Sequence, residues 1–302
     1  HRTIFCNEAG EEERTTLRTY RELELFRIPQ MVKGGWFIVN GQEKTIVPQL
    51  KLRANHVFVF PGKRYEYIAE IRSLHPTKFR STSTLRIGWK RPGGIVAILP
   101  FLFKSATMPL EIGLSAVFTL LRCEEPLLLF RRADVRAVVE ESLRSDPLHG
   151  HALEEVLKWV GKAGTTESTN EKRKKYLSHI LHNETLPHLG MRGADESVWG
   201  RKATFLSKMV RRLILVVLGE QPHTDRDSVT VQKVVGPGAL TSNLFRQVFR
   251  QFTKTLHTQI SKNLNAGKVQ VCINDYIQPA RLTNNIEYHF RTGNWSLTKD
   301  MN

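Results

Sequence analysis

Arg246, Arg250 and Lys254 recur at four-residue spacing in a stretch that holds no carboxylate. On a helix such a row places neighbouring cations about 5–6 Å apart along one face. That arrangement can meet phosphates by charge and shape without reading bases. The acid-free interval runs from Asp227 to Asp275 and also holds Lys233, Lys262 and Lys268. A second basic segment carries Arg201, Lys202, Lys208, Arg211 and Arg212, with no acid among residues 201–212. Arg211 and Arg212 precede the apolar run Leu213–Leu218, so one of them is expected to pair internally, with Asp225 or Asp227 as candidate partner. Each basic row is equally compatible with the solvated side of an amphipathic helix.

Other chemistries find less support. Asp225-Arg226-Asp227 sets two carboxylates two residues apart, which suits either a cation or an ion-pair knot. His149-Gly150-His151 and the group His179, His182 and His188 offer imidazoles, but no Cys accompanies them and surface positions are expected. No GxxxxGK[ST] loop and no GxSxG elbow is present. Pro92-Gly93-Gly94 and Gly236-Pro237-Gly238 read as turns. Cys6, Cys123 and Cys272 are too few and too far apart for a disulfide framework or a metal knuckle, which points to a reducing compartment.

The elements that must position these groups form an α+β pattern. Trp36–Val39 reads as a strand, Asn40-Gly41 as a two-residue turn and Thr45–Val47 as the returning strand, because both central positions of a type I′ turn need positive φ. His56–Phe60, Thr82–Ile87 and Ile95–Leu99 continue the strands. Helical spacing then takes over in Leu110–Leu121, Ala133–Leu143, Ala152–Val160 and Glu171–Leu181, and again over 201–218 and 239–264. Residues 161–170, GKAGTTESTN, have the composition of a linker, with Asn170 as a candidate helix cap. In 239–264 the apolar residues Leu240, Leu244, Val248, Phe252, Leu256, Ile260 and Leu264 form one stripe.

At 302 residues the chain has room for about two domains. A formal charge of +16 implies a polyanionic partner, and acids collect in 8–13 and 124–155, away from the acid-free interval. No apolar run approaches the roughly 20 residues that a membrane helix needs. The chain lacks an initial Met and stops just after a recognisable motif, so a fragment is expected.

Four blocks carry a family resemblance. GGWFIVNGQEK at 34–44 comes first. Glu70–Ser73 with Phe79–Leu85 follows, then Arg201–Leu206 running to Asp225-Arg226-Asp227, and finally Thr292-Gly293-Asn294-Trp295. In wording and order they resemble the second-largest, beta-type subunit of multisubunit DNA-directed RNA polymerases, on the eukaryotic, archaeal and large-virus branch. The resemblance covers nearly all of the chain from about residue 30.

That resemblance implies a strand-rich, discontinuous protrusion at 1–69 and 228–290. A mixed, mainly helical lobe is inserted at 70–227, and the start of a fork lies at 291–302. It implies template-directed nucleotidyl transfer by an assembled enzyme to which this piece contributes a jaw of the DNA cleft and no catalytic group. Mg²⁺ belongs to the largest subunit and Zn²⁺ to a C-terminal clamp, so Asp225-Arg226-Asp227 is expected to be an ion-pair knot. The implied partners are template DNA, the RNA–DNA hybrid, the largest subunit and other polymerase subunits, with no membrane. The implied location is the nucleus, or cytoplasm or virion for a viral member. Arg246, Arg250, Lys254, Lys202 and Lys208 are the candidate phosphate contacts, joined by Arg291 and Lys299 at the fork. The competing class is a non-enzymatic DNA-binding or structural paralogue of such a subunit.

Overall fold

A computed structural model of the chain describes residues 3–6, 12–15, 28–74, 81–90, 94–190, 197–266 and 276–294. The chain divides into two compact units, one made of residues 1–50 and 234–302 and the other of residues 51–233. Helix and sheet are mixed in both.

In the first unit, strands β1 (Thr3–Cys6) and β2 (Glu12–Thr15) pair antiparallel. β3 (Trp36–Val39) and β4 (Gln42–Thr45) form a tight hairpin. Its turn residues Asn40 and Gly41 have φ of 52° and 74°, the left-handed pair that a type I′ turn demands. The returning strand starts three residues earlier than Thr45–Val47, because the two-residue turn forces Val39 to face Gln42. Alternation along β3 buries Phe37 and Val39 and exposes Ile38. Two long helices complete the unit, α6 (Pro237–Asn265) and α7 (Pro279–Thr292). Both open with proline in the first turn, where a missing N–H costs nothing. Phe37, Val39, Ile46, Leu240, Leu244, Val248, Leu282, Ile286 and Phe290 form the core. The Phe37 and Phe290 rings meet edge to face at 4.7 Å.

The second unit is built on a five-stranded antiparallel meander in the order β10-β9-β8-β7-β6, with β6 Val57–Pro61, β7 Tyr67–Leu74, β8 Ser81–Lys90, β9 Gly94–Ile98 and β10 Ile112–Gly113. Helix α5 (Ser197–Val217) packs on β6, β7 and β8. Helices α1 (Leu114–Leu120), α2 (Ala133–Arg144), α3 (Leu153–Gly164) and α4 (Asn170–His179) build outward from the same core. The short strands β5 (Gln49–Leu52) and β11 (Gln232–Val235), through which the chain passes between units, pair with each other.

Several local expectations change. The helix predicted from Leu110 starts at Leu114, because Ile112 and Gly113 join the sheet edge. Residues 161–164 are not linker but the last turn of α3. Gly161 lies against Arg173 and Leu177 of α4, and a Cβ on Gly164 would come within 2.8 Å of Leu110. These glycines permit close packing rather than flexibility. Thr169, not Asn170, caps α4, its side chain accepting from the Lys172 N–H. Helix α4 gives way after His179 to a π-helical turn, Ile180–Glu184.

Candidate nucleic-acid interface

On α6 the four-residue spacing meets a helix that advances about 100° per residue, so each step of four drifts about 40° around the axis. The apolar stripe therefore winds off the core. Leu240, Leu244 and Val248 are buried, Phe252, Leu256 and Ile260 are half-buried, and Leu264 is 53% exposed. The cationic row winds with it. Arg246 is half-buried, with Nη1 donating to Asn243 Oδ1 at 3.3 Å, whereas Arg250 and Lys254 are exposed. Phe245, Phe249 and Phe252 run alongside, with centroids 5.7 and 6.2 Å apart. No acid lies on α6, so every formal side-chain charge on it is positive.

The row on α5 is differently composed from the expectation. Lys202 is 0% exposed and cannot reach a phosphate. Its Nζ donates to Leu181 O at 2.8 Å and His182 O at 2.9 Å, and it lies 5.7 Å from the Trp199 ring centroid. Those carbonyls belong to the π-helical turn, so the ammonium satisfies a helix end that would otherwise leave acceptors unpaired. Burial lowers its pKa to about 8. The exposed cations of α5 are instead Arg201, Lys208 and Arg211. At 100° per residue these three share a sector about 80° wide. Of the two expected phosphate contacts on this helix Lys208 is exposed and Lys202 is not, and on a helix one residue, here from Arg201 to Lys202, is the difference between solvent and core.

Arg212 is the internally paired arginine, but not with an aspartate. Nη1 donates to Val57 O at 3.0 Å and Nη2 to Thr224 Oγ1 at 3.1 Å. Thr224 also accepts the Val59 N–H at Oγ1 (3.1 Å) and donates its own N–H to Val59 O. Residues 212 and 224 thus occupy the open edge of β6. The following Asp225-Arg226-Asp227 is a turn and not an ion-pair knot. Asp225 Oδ1 accepts the Asp227 N–H at 2.9 Å, and the Arg226 guanidinium lies 4.5 Å from the Phe60 ring centroid. Among the described residues no ion pair joins this trio.

The histidines are dispersed into local hydrogen bonds: His149 with Ser115, His151 with Glu155, His179 with Asn183 and His182 with Ser178. His188 departs from the surface expectation. It is half-buried with Nδ1 3.2 Å from Ser73 Oγ, and burial and the Lys202 charge lower its pKa. Among the described residues, no group of three His, Cys, Asp or Glu could hold a metal ion. Among them too, no helix is long and apolar enough to cross a membrane.

Arg291 is exposed in the last turn of α7, which ends at Gly293 in the left-handed conformation, φ 68°. The Thr-Gly of the closing motif is thus a helix stop. Trp295 and Lys299 lie outside the described residues.

Comparison with known proteins extends over this same span. Residues 12–285 match the family model described as RNA polymerase beta subunit. The DNA-directed RNA polymerase II subunit 2 of Arabidopsis thaliana is 31% identical over 278 residues, covering 87% of this chain and 23% of that protein. The RNA polymerase II subunit RPB2 of Encephalitozoon cuniculi is 30% identical over 272 residues, with 87% and 23% coverage. The archaeal subunit Rpo2N of Methanococcus vannielii is 26% identical over 272 residues, covering 86% of this chain and 52% of that protein. The chain therefore spans about a quarter of the length of these eukaryotic relatives and about half of the archaeal one. With a match running almost from end to end, the chain belongs to the RNA polymerase beta subunit family.

Proposed function

We propose that this chain serves as one wall of the DNA cleft in a multisubunit DNA-directed RNA polymerase, as part of its second-largest subunit. The observation that carries this reading is the family match over residues 12–285, reinforced by acid-free cationic rows on two helices. On this reading residues 1–69 and 228–290 form the protrusion, residues 70–227 the lobe and residues 291–302 the start of the fork, where Arg291 and Lys299 lie. The chain contributes charge and shape, not catalytic groups. Asp225 and Asp227 sit in a turn closed by the Asp227 N–H on Asp225 Oδ1. On this reading the Mg²⁺ and Zn²⁺ of the enzyme belong to other parts of the assembly. Template DNA and the RNA–DNA hybrid are the nucleic-acid partners, the largest subunit is a protein partner, and the nucleus is the working location.

Phosphate contact falls to Arg246, Arg250 and Lys254 on α6 and to Arg201, Lys208 and Arg211 on α5. Each neutralised phosphate adds about 0.9 to the slope of log K against log salt on duplex DNA. Replacing Arg201, Lys208 and Arg211 together by Gln should lower that slope by about 2–3. Lys202→Met should leave the slope unchanged, since that lysine is buried. A triple variant that binds with the wild-type slope removes α5 from the interface. Co-expression with the largest subunit tests the assembly. A chain that never co-purifies with it yet holds DNA unaided would be a free-standing binder, not a cleft wall.

A further inference from the structure

The second unit displays an apolar knuckle that its own core does not use. Residues 99–110 leave β9, turn, and return to β10, with Leu102 and Leu110 buried as anchors. Between and beside the anchors, Phe101 is 37% exposed, Phe103 50% and Met108 44%. Large apolar side chains gathered on one short loop differ from the scattered exposure that is normal on a surface.

The knuckle is held rigidly. Lys104 N–H donates to Met108 O at 2.8 Å, Met108 N–H to Ser105 O at 3.3 Å, and Leu110 N–H to Leu102 O at 3.0 Å. Phe103 N–H donates to Gly164 O at the end of α3 (3.3 Å), and Tyr176 Oη on α4 donates to Phe101 O at 3.3 Å. Phe101 itself is held at φ 60°, a conformation that costs a non-glycine residue about 1–3 kcal/mol. Strain of this size is tolerated to turn an aromatic ring outward when the surrounding bonds leave no alternative.

The local charge is positive. Lys104 is exposed at the tip, and Lys172 is exposed one helical turn before Tyr176 on the same face of α4. Residues 99–110 contain no acid, and the adjacent Glu111 carboxylate is taken up by Tyr65, Lys90 and Arg64. Of the acids among the described residues, Glu167 bears on Tyr176; after burial, its charge raises that phenol's pKa.

We propose that residues 99–110 form a docking site for a protein partner whose contacting segment carries acidic side chains among apolar ones. Phe101, Phe103 and Met108 supply the apolar anchors and Lys104 and Lys172 the charge complement. Anchors of this kind dominate binding when a polar rim surrounds them. The site is independent of the phosphate-contacting rows and needs no nucleic acid.

The test is fluorescence anisotropy with a short fluorescein-labelled peptide of glutamate, leucine and phenylalanine. A peptide with lysine in place of glutamate and a single-stranded oligothymidylate serve as competitors. The 302-residue chain should bind the acidic peptide saturably. Phe103→Ser with Met108→Ser should weaken it at least about tenfold, and Lys104→Glu should turn preference toward the lysine peptide. All three residues are exposed, so thermal melts should match the parent, and Lys104→Glu retains the apolar anchors in any case. Failure of the acidic peptide to bind, or equal binding by parent and variants, would overturn the proposal. It would equally be overturned by oligothymidylate binding that falls in the variants, which would make the knuckle a base-stacking surface. Self-association of the chain abolished by the same changes would make it a contact between copies.

Discussion

Lys202 shows how a single side chain can be basic, sit in a basic segment and still have nothing to do with an anionic ligand. Its ammonium terminates the π-helical turn from inside the core, so removing it strands Leu181 O and His182 O. An unsatisfied buried acceptor costs about 1–3 kcal/mol. Lys202→Met is therefore expected to lower stability by roughly 2–4 kcal/mol, read from urea unfolding, because two such acceptors are involved. The same residue sets a pH window. Its folded pKa is lowered to about 8, so between there and the ordinary lysine value of 10.5 the unfolded chain binds more protons. Stability should rise with pH through that interval, and Lys202→Met should abolish the rise. Glu70 behaves oppositely. Burial works against its carboxylate, yet Arg86 and Arg72, at 2.8 and 3.0 Å, hold its pKa below the ordinary glutamate value. Its contribution is present above the unfolded pKa and is lost as pH falls through the folded one. Glu70→Gln should flatten the acid limb of a pH–stability curve.

Among the elements, β6 is the edge strand of the second unit's sheet, and an uncovered strand edge invites pairing with another chain. Arg212 and Thr224 occupy that edge through three hydrogen bonds to Val57 and Val59 and a fourth between themselves, and the Thr224 hydroxyl accepts two of the four. Thr224→Val keeps the shape and removes the hydroxyl, so it should cost about 1–3 kcal/mol and raise light scattering on warming. Gly88, two residues from the end of β8, lies beneath the Tyr65 ring, where a Cβ would come within 2.5 Å of Cδ1. Gly88→Val should destabilise by about 1–3 kcal/mol through overpacking, measurable as a lower melting temperature. These elements also mark how far the sequence could be read. The Asn40-Gly41 turn and the proline starts of α6 and α7 carry their geometry in their residue types, and they were legible. Gly161 and Gly164 were not, because a glycine that admits a neighbouring helix has the same local signature as one that loosens a loop. The α5 cations were legible as a group but not individually: which of two adjacent basic residues faces water depends on helix phase, and only packing against the sheet and its neighbouring helices fixes that phase. The edge role of Thr224 depends on residues some 165 positions away and has no local signal at all.

At the scale of the whole molecule, family membership came from the order of four short motifs, and no amount of local periodicity would have supplied it. The discontinuous unit is likewise invisible to composition, since Leu50 and Val234 lie in unremarkable surroundings. Residues 51–233 form an insertion whose ends meet: Arg53 N–H donates to Val231 O at 3.0 Å. For the first unit, this is a matter of folding order. Joining its two segments across an unfolded insertion of that length would carry a loop-closure entropy growing as (3/2)RT ln n. Once the insertion has folded and its ends are held together, the effective loop shrinks to a few residues, which relieves about 3 kcal/mol. Refolding followed by pulsed hydrogen exchange should therefore protect β7 and α5 before α6 and α7. The unit that begins the chain would be the last to close.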